Sequence, residues 1–89
     1  MRILELQALT KEESFIYYIN RYKATAVVEV LMQTLKFPVS FSIEINPLGQ
    51  KTIDLDPLPK TLDYPVVPLS KTLKAYINQL YDENKLPQT

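Results

Sequence analysis

Two runs of alternating apolar and polar residues, separated by turn-forming residues, constrain the fold of this chain more than any other feature. Residues 39–45 read Val-Ser-Phe-Ser-Ile-Glu-Ile, residues 51–56 read Lys-Thr-Ile-Asp-Leu-Asp, and residues 46–50 between them read Asn-Pro-Leu-Gly-Gln. A period of two places alternate side chains on opposite faces of a strand, so these runs predict a β-hairpin with one buried and one wet face. The predicted cross-strand partners are Ile43 with Ile53, Phe41 with Leu55, Ser42 with Asp54, and Ser40 with Asp56.

A C-terminal helix is predicted from an apolar stripe whose members recur at spacings of three and four. Ser70 lies where its hydroxyl would cap the first turn. Residues 57–69 hold four of the seven prolines and predict a connector between sheet and helix, because proline cannot donate to a sheet ladder. Residues 85–89 are expected to fray. The stripe consists of Leu69, Leu73, Tyr76, Ile77 and Leu80.

The first 37 residues contain neither proline nor glycine and predict continuous regular structure. Residues 2–9 alternate weakly and predict a strand with Leu4, Leu6 and Ala8 on one side. Residues 24–32 are rich in β-branched residues and predict a second strand, and residues 33–38 are expected to form a loop that leads into the hairpin.

The segment from residue 11 to residue 22 carries contradictory signals. Thr10 and Glu13 match a capping box, which predicts a helix. Residues 15–19 favour a strand and residues 20–23 resemble a loop, which predicts a hairpin. One helix over residues 11–36 is excluded, since its two apolar stripes would point about 120° apart. Helix and strand therefore both stay open for residues 11–22.

These elements combine into an α+β fold in a single domain spanning residues 1–89. The expected architecture is an antiparallel sheet of three to five strands in meander order, with the C-terminal helix packed on one face. A chain this short buries only somewhat over 60% of its extended surface, so its core is thin and a partner chain would stabilise it. A homodimer is therefore expected.

Composition removes the usual parts of most enzymes. The chain has no cysteine and no histidine, and its single glycine cannot build a phosphate-binding loop. We therefore expect no enzymatic activity and no cofactor. The formal net charge is zero, which disfavours binding to nucleic acid, and no apolar run is long enough to cross a membrane. The chain is expected to be cytoplasmic.

Three carboxylates share the wet face of the predicted hairpin: Glu44, Asp54 and Asp56. Such a trio can bind a hard cation or supply an acid and a base for a small enzyme. A flat strand face offers neither a wrapping loop nor a pocket, so a solvated charged face is the expected state.

Aromatic and basic residues concentrate in a cluster formed by Tyr17, Tyr18, Arg21, Tyr22 and Lys23. This composition fits three roles, namely the edge of a core, a protein interface, or a surface that stacks the bases of single-stranded nucleic acid. The leading hypothesis is a non-enzymatic interaction or regulatory module that binds itself or another protein through a sheet edge or the surface of residues 15–22. A single-stranded nucleic-acid-binding domain is the alternative, and a carboxylate-dependent enzyme is a weaker one.

Overall fold

Four antiparallel strands in meander order and one C-terminal helix make up the protein, as expected for the α+β class. The structure is a computed structural model and describes residues 2–13, 18–60, 62 and 65–87. The strands are β1 (Arg2–Glu12), β2 (Ile19–Val30), β3 (Gln33–Ile45) and β4 (Lys51–Leu55), and the helix is α1 (Val66–Asp82). The sheet order is β1-β2-β3-β4, so every strand lies beside its neighbour in the chain.

The hairpin of β3 and β4 has the predicted register. Ile43 pairs with Ile53, and Phe41 with Leu55. The Asn46 side chain organises the loop, because its Oδ1 accepts hydrogen bonds from the backbone N–H groups of Leu48 (3.0 Å) and Gln50 (2.9 Å). The backbone at Gly49 adopts a φ of 82°, which only glycine reaches without strain. Turn chemistry and alternation therefore agree in this part of the chain.

Strand β1 departs from the predicted phase because two irregularities interrupt its pairing with β2. They lie between Ile3 and Glu5 and between Gln7 and Thr10, and Ala8 has a φ of 52°. Each irregularity shifts the alternation of side chains. The residues of β1 that pack against the core are therefore Ile3, Leu6 and Leu9, so the expectation of Leu4 and Ala8 on the inner side with Leu6 is wrong.

The middle of the sheet corrects several further predictions. Thr10 lies within β1 rather than at a helix N-terminus, and residues 20–23 belong to β2 rather than to a break. Residues 33–38 form the first half of β3 instead of a loop. Within the undecided segment 11–22, residues 11–12 and 19–22 are strand, and residues 14–17 lie outside the described residues. The pairing energy of two long neighbouring strands outweighs these local signals.

One face of the sheet, the inner face, packs against the helix. Leu69, Leu73 and Ile77 of the predicted stripe are completely buried there. The first two pack among small and branched residues of β2 and β3, and Ile77 packs further along the sheet. The main strand residues of the inner face are Tyr22, Ala24, Ala26, Val28, Val30, Phe37, Val39, Phe41 and Ile43.

The helix begins earlier than predicted. Its first residue is Val66, so the connector is shorter than 57–69, and Ser70 lies inside the helix rather than at its cap. Pro68 is tolerated because the N–H groups of the first turn have no helical partner. The segment expected to fray also contains a packed residue, since Leu86 is buried against the core. Residues 88–89 lie outside the described residues.

Lys51 ties β4 to the end of the helix. Its Nζ lies 2.9 Å from Oδ1 of Asp82 and 4.3 Å from the centre of the Tyr81 ring. The Lys51 side chain is only 19% exposed, so water screens these contacts less than it screens a surface ion pair.

We expect Lys51→Met, which keeps most of the aliphatic stem, to lower the free energy of unfolding by about 1 kcal/mol because both contacts are lost. Asp82→Asn should cost less, since the contact with the Tyr81 ring remains. Urea denaturation of both variants and of the double variant measures the coupling between the two side chains. Lys85→Met, which removes an exposed ion pair with Glu83, is the control, and an equal loss there would contradict the assignment.

Candidate functional site

The structure divides the aromatic and basic cluster between the two faces of the sheet. Tyr22 lies on the inner face, is 5% exposed and stacks on Phe41 with ring centres 5.1 Å apart. Arg21 and Lys23, its neighbours on β2, project to the opposite, outer face because strand side chains alternate. Tyr18 precedes β2 and is exposed, while Tyr17 lies outside the described residues. The five residues therefore do not form one surface.

The outer face carries charges of both signs and, among the described strand residues, no aromatic side chain. Residues that pair across strands share a face, so the register identifies its members. Arg21 reaches across β3 to Asp56, with 2.7 Å between Nη2 and Oδ2, and Ser42, opposite Arg21 on β3, is buried. The charged members on the strands are Arg2, Arg21, Lys23, Lys36, Glu5, Glu12, Glu29, Glu44 and Asp54.

The three carboxylates of the predicted wet face are not brought together as a cation site. Asp56 is paired with Arg21, which satisfies its charge. Within the parts of the chain that the structure describes, no group of three acidic, histidine or cysteine side chains is arranged to hold a metal ion. The arrangement of Glu44, Asp54 and Asp56 is that of charged residues on an open strand face.

The tip of the hairpin between β2 and β3 presents two large apolar side chains to solvent. Val30 pairs with Gln33, so Leu31 and Met32 alone form the turn. Both have positive φ, 49° and 66°, which is the backbone of a type I′ turn and normally selects Asn-Gly. Leu31 is 90% exposed and Met32 is 99% exposed. The sequence analysis missed this feature because Leu-Met is not a turn signal.

Other exposed apolar side chains lie at the same end of the molecule. Leu4 sits in the first irregularity of β1, beside the part of β2 that leads into the tip. The helix starts at this end too, because its other end is held at β4 by Lys51. We refer to the five exposed apolar residues of this end as the apolar end: Leu4, Leu31, Met32, Val66 and Val67.

The opposite end of the sheet holds two cavities that meet at Asn20. The larger, of about 680 Å³, lies beside the β3–β4 loop and is lined by Tyr18, Asn20, Ile45, Asn46 and Pro47. The smaller, of about 310 Å³, lies beside the end of the helix, and we refer to it as the helix-end cavity. Its described lining residues are Lys11, Asn20, Tyr22, Tyr81, Asn84, Leu86 and Pro87.

Burial raises the pKa of the Tyr22 phenol above its ordinary value of 10.0, and the nearby Tyr81 phenol raises it further. The neutral form of Tyr22 is therefore favoured by folding. Glu83, exposed at the end of the helix, has a lowered pKa because Gln79 and Lys85 donate hydrogen bonds to its carboxylate and Lys85 also attracts its charge.

We expect the free energy of unfolding to fall as pH rises above about 10, because the unfolded chain then loses the Tyr22 proton while the folded protein retains it. The loss continues until the pH passes the raised pKa of the folded state. Tyr22→Phe should show a shallower decline in urea denaturation between pH 8 and pH 11.5. Parallel curves for the two proteins would contradict the raised pKa of Tyr22.

Comparison with known proteins adds a family. Within the described residues, no helix combines the length and apolar character needed to span a bilayer. No curated protein and no solved structure matches the chain. One protein-family model matches residues 1–82, which include all four strands and the whole helix. The chain thus belongs to the family that this model describes, the BB_0187 family.

Proposed function

We propose that the chain is a small non-enzymatic interaction module that self-associates, and that the contact surface is the apolar end. The observation that carries this proposal is the near-complete exposure of Leu31 and Met32 at the tip of the β2–β3 hairpin. Large apolar side chains at a protruding tip lose contact with water only when another molecule covers them.

The backbone of the tip supports this assignment. A residue other than glycine, asparagine or aspartate in the left-handed region costs about 1 kcal/mol or more, and here two adjacent residues adopt it. An Asn-Gly tip would be less strained and more soluble. The presence of Leu31 and Met32 is therefore unfavourable for the isolated chain and is best explained by a contact that uses their side chains.

A second copy of the chain is the occupant that we propose for the apolar end. The net charge is zero, so two copies do not repel each other through their overall charge. Arg2 and Glu29 lie 3.5 Å apart at this end, and in a twofold contact each can face its opposite on the partner. A stable interface covers about 800 Å² on each partner, so it must extend from the tip to Val66 and Val67 on the helix.

Pairing through a sheet edge, the other route to self-association, is less well supported. Strand β1 is interrupted twice, and such bulges hinder the addition of another strand. Strand β3 extends beyond β4, and its free part carries Lys36 and Pro38, two residue types that protect edges. Residues 15–17 of the other surface considered lie outside the described residues.

Single-stranded nucleic acid remains the alternative partner and is an outcome of the test. Base stacking on a sheet needs exposed aromatic side chains. The outer face, where Arg21 and Lys23 lie, has none among its described strand residues, and its basic residues alternate with acidic ones.

We expect sedimentation velocity from 5 μM to 1 mM to reveal a concentration-dependent dimer of the full chain. The double variant Leu31→Asn/Met32→Gly should weaken the association at least tenfold, since it removes the apolar tip. The same variant should raise the thermal midpoint of the monomer, because Asn-Gly adopts the type I′ turn without strain, a gain of about 1 kcal/mol.

Leu48→Ser is the matched control, since Leu48 is also an exposed apolar loop residue but lies at the opposite end of the sheet. Its association should equal that of the unsubstituted chain. A chain that stays monomeric at 1 mM, or a tip variant that dimerises as well as the control, would refute the proposal. Salt-dependent binding of a labelled oligonucleotide by a monomer would favour the alternative.

A further inference from the structure

We propose that the helix-end cavity is a binding site for a small oxyanion, a carboxylate or a phosphate group. The site is separate from the apolar end and does not depend on self-association. Its volume of about 310 Å³ is at the lower end of the range for small-molecule sites. The ligand is therefore a small molecule or one anionic group of a larger one.

The chemistry of the walls selects an anion. Lys11 is the one charged residue among the described lining residues, and it lies on the inner side of β1 opposite Tyr22. Asn20 and Asn84 carry amide N–H groups, and Tyr22 and Tyr81 carry phenol O–H groups. A cation combined with several neutral donors and no carboxylate is the combination that binds oxyanions.

The chain end reaches the cavity through a specific turn. The N–H of Lys85 donates to the carbonyl oxygen of Leu80 (2.9 Å), and the N–H of Asn84 donates to that of Tyr81 (3.0 Å). These two bonds form a Schellman motif with Asn84 in the left-handed conformation, at a φ of 59°. The motif satisfies carbonyl groups that would otherwise repel an anion, and it turns the chain so that Leu86 packs against the core.

Two of the walls are fixed from behind before any ligand binds. The ring of Tyr22 stacks on Phe41, and the ring of Tyr81 lies under the ammonium group of Lys51. Burial raises the pKa of Tyr22, so its phenol keeps the proton that it would donate. Donors that are already ordered lose little entropy on binding, which favours a ligand as small as an oxyanion.

The site is tested by titrating the ¹⁵N-labelled full chain with inorganic phosphate, benzoate or benzylamine at constant ionic strength. Phosphate and benzoate distinguish the two kinds of oxyanion, and benzylamine is a cation of similar shape to benzoate. We expect saturable shifts of the amide signals of Asn20, Tyr81 and Asn84 with at least one anion and none with benzylamine. No saturable shift with either anion at 20 mM, or equal binding of benzylamine, would overturn the proposal.

Variants locate the binding to the cavity. Lys11→Gln should weaken anion binding at least tenfold, whereas Lys36→Gln, which removes a lysine from the outer face, should change it less than twofold. Asn84→Gly keeps the left-handed backbone and removes only the amide, so it should fold normally and bind several-fold more weakly. The tip variant Leu31→Asn/Met32→Gly should bind as well as the unsubstituted chain. Full affinity in both Lys11→Gln and Asn84→Gly would refute the site.

Discussion

The burial of one helical stripe on the inner face of the sheet is the interaction on which the structure depends. Leu69, Leu73 and Ile77 are completely removed from solvent, and each such burial contributes about 1.5–3 kcal/mol. The helix has no side-chain N-cap, no acidic residue in its first turn and no basic residue in its last turn. Its stability therefore derives from packing rather than from its termini, and the helix and sheet must form together.

The parts of the fold that sequence predicts correctly are those where local pattern and packing agree. The alternation around Phe41 and Ile53 specified the β3–β4 register, because a shift of one residue would expose the whole apolar set. The spacing of Leu69, Leu73 and Ile77 likewise predicted the buried stripe of the helix. In both cases one periodic pattern matched one buried face.

The errors have identifiable physical causes. Irregularities in β1 change the face of Leu4 and Ala8, and alternation alone does not reveal where a bulge will form. The capping residues at Thr10 and Glu13 were misleading, because pairing with β2 outweighs a cap of about 1 kcal/mol. The Leu31–Met32 turn escaped notice because its residues are unfavourable for it. The division of Tyr22 from Arg21 could follow only once residues 19–22 were known to be strand.

The two long central strands separate the molecule into ends of different character. One end bears exposed apolar residues on a strained turn, and the other bears two cavities with amide and phenol groups. The core between them is continuous, with Ala24 and Val28 nearer the tip and Tyr22 nearer the cavities. A surface for a macromolecule and a site for a small molecule can thus occupy one short chain without sharing residues.

The position of the helix after all four strands has a consequence for synthesis. The ribosome makes the strands first, and the 27 residues from the end of β4 at Leu55 to the end of the helix at Asp82 follow over about 1–5 s. During that interval the apolar side of the nascent meander has no cover. Chaperones that shield extended hydrophobic segments, or rapid translation of this stretch, would then protect the chain from aggregation while it is being made.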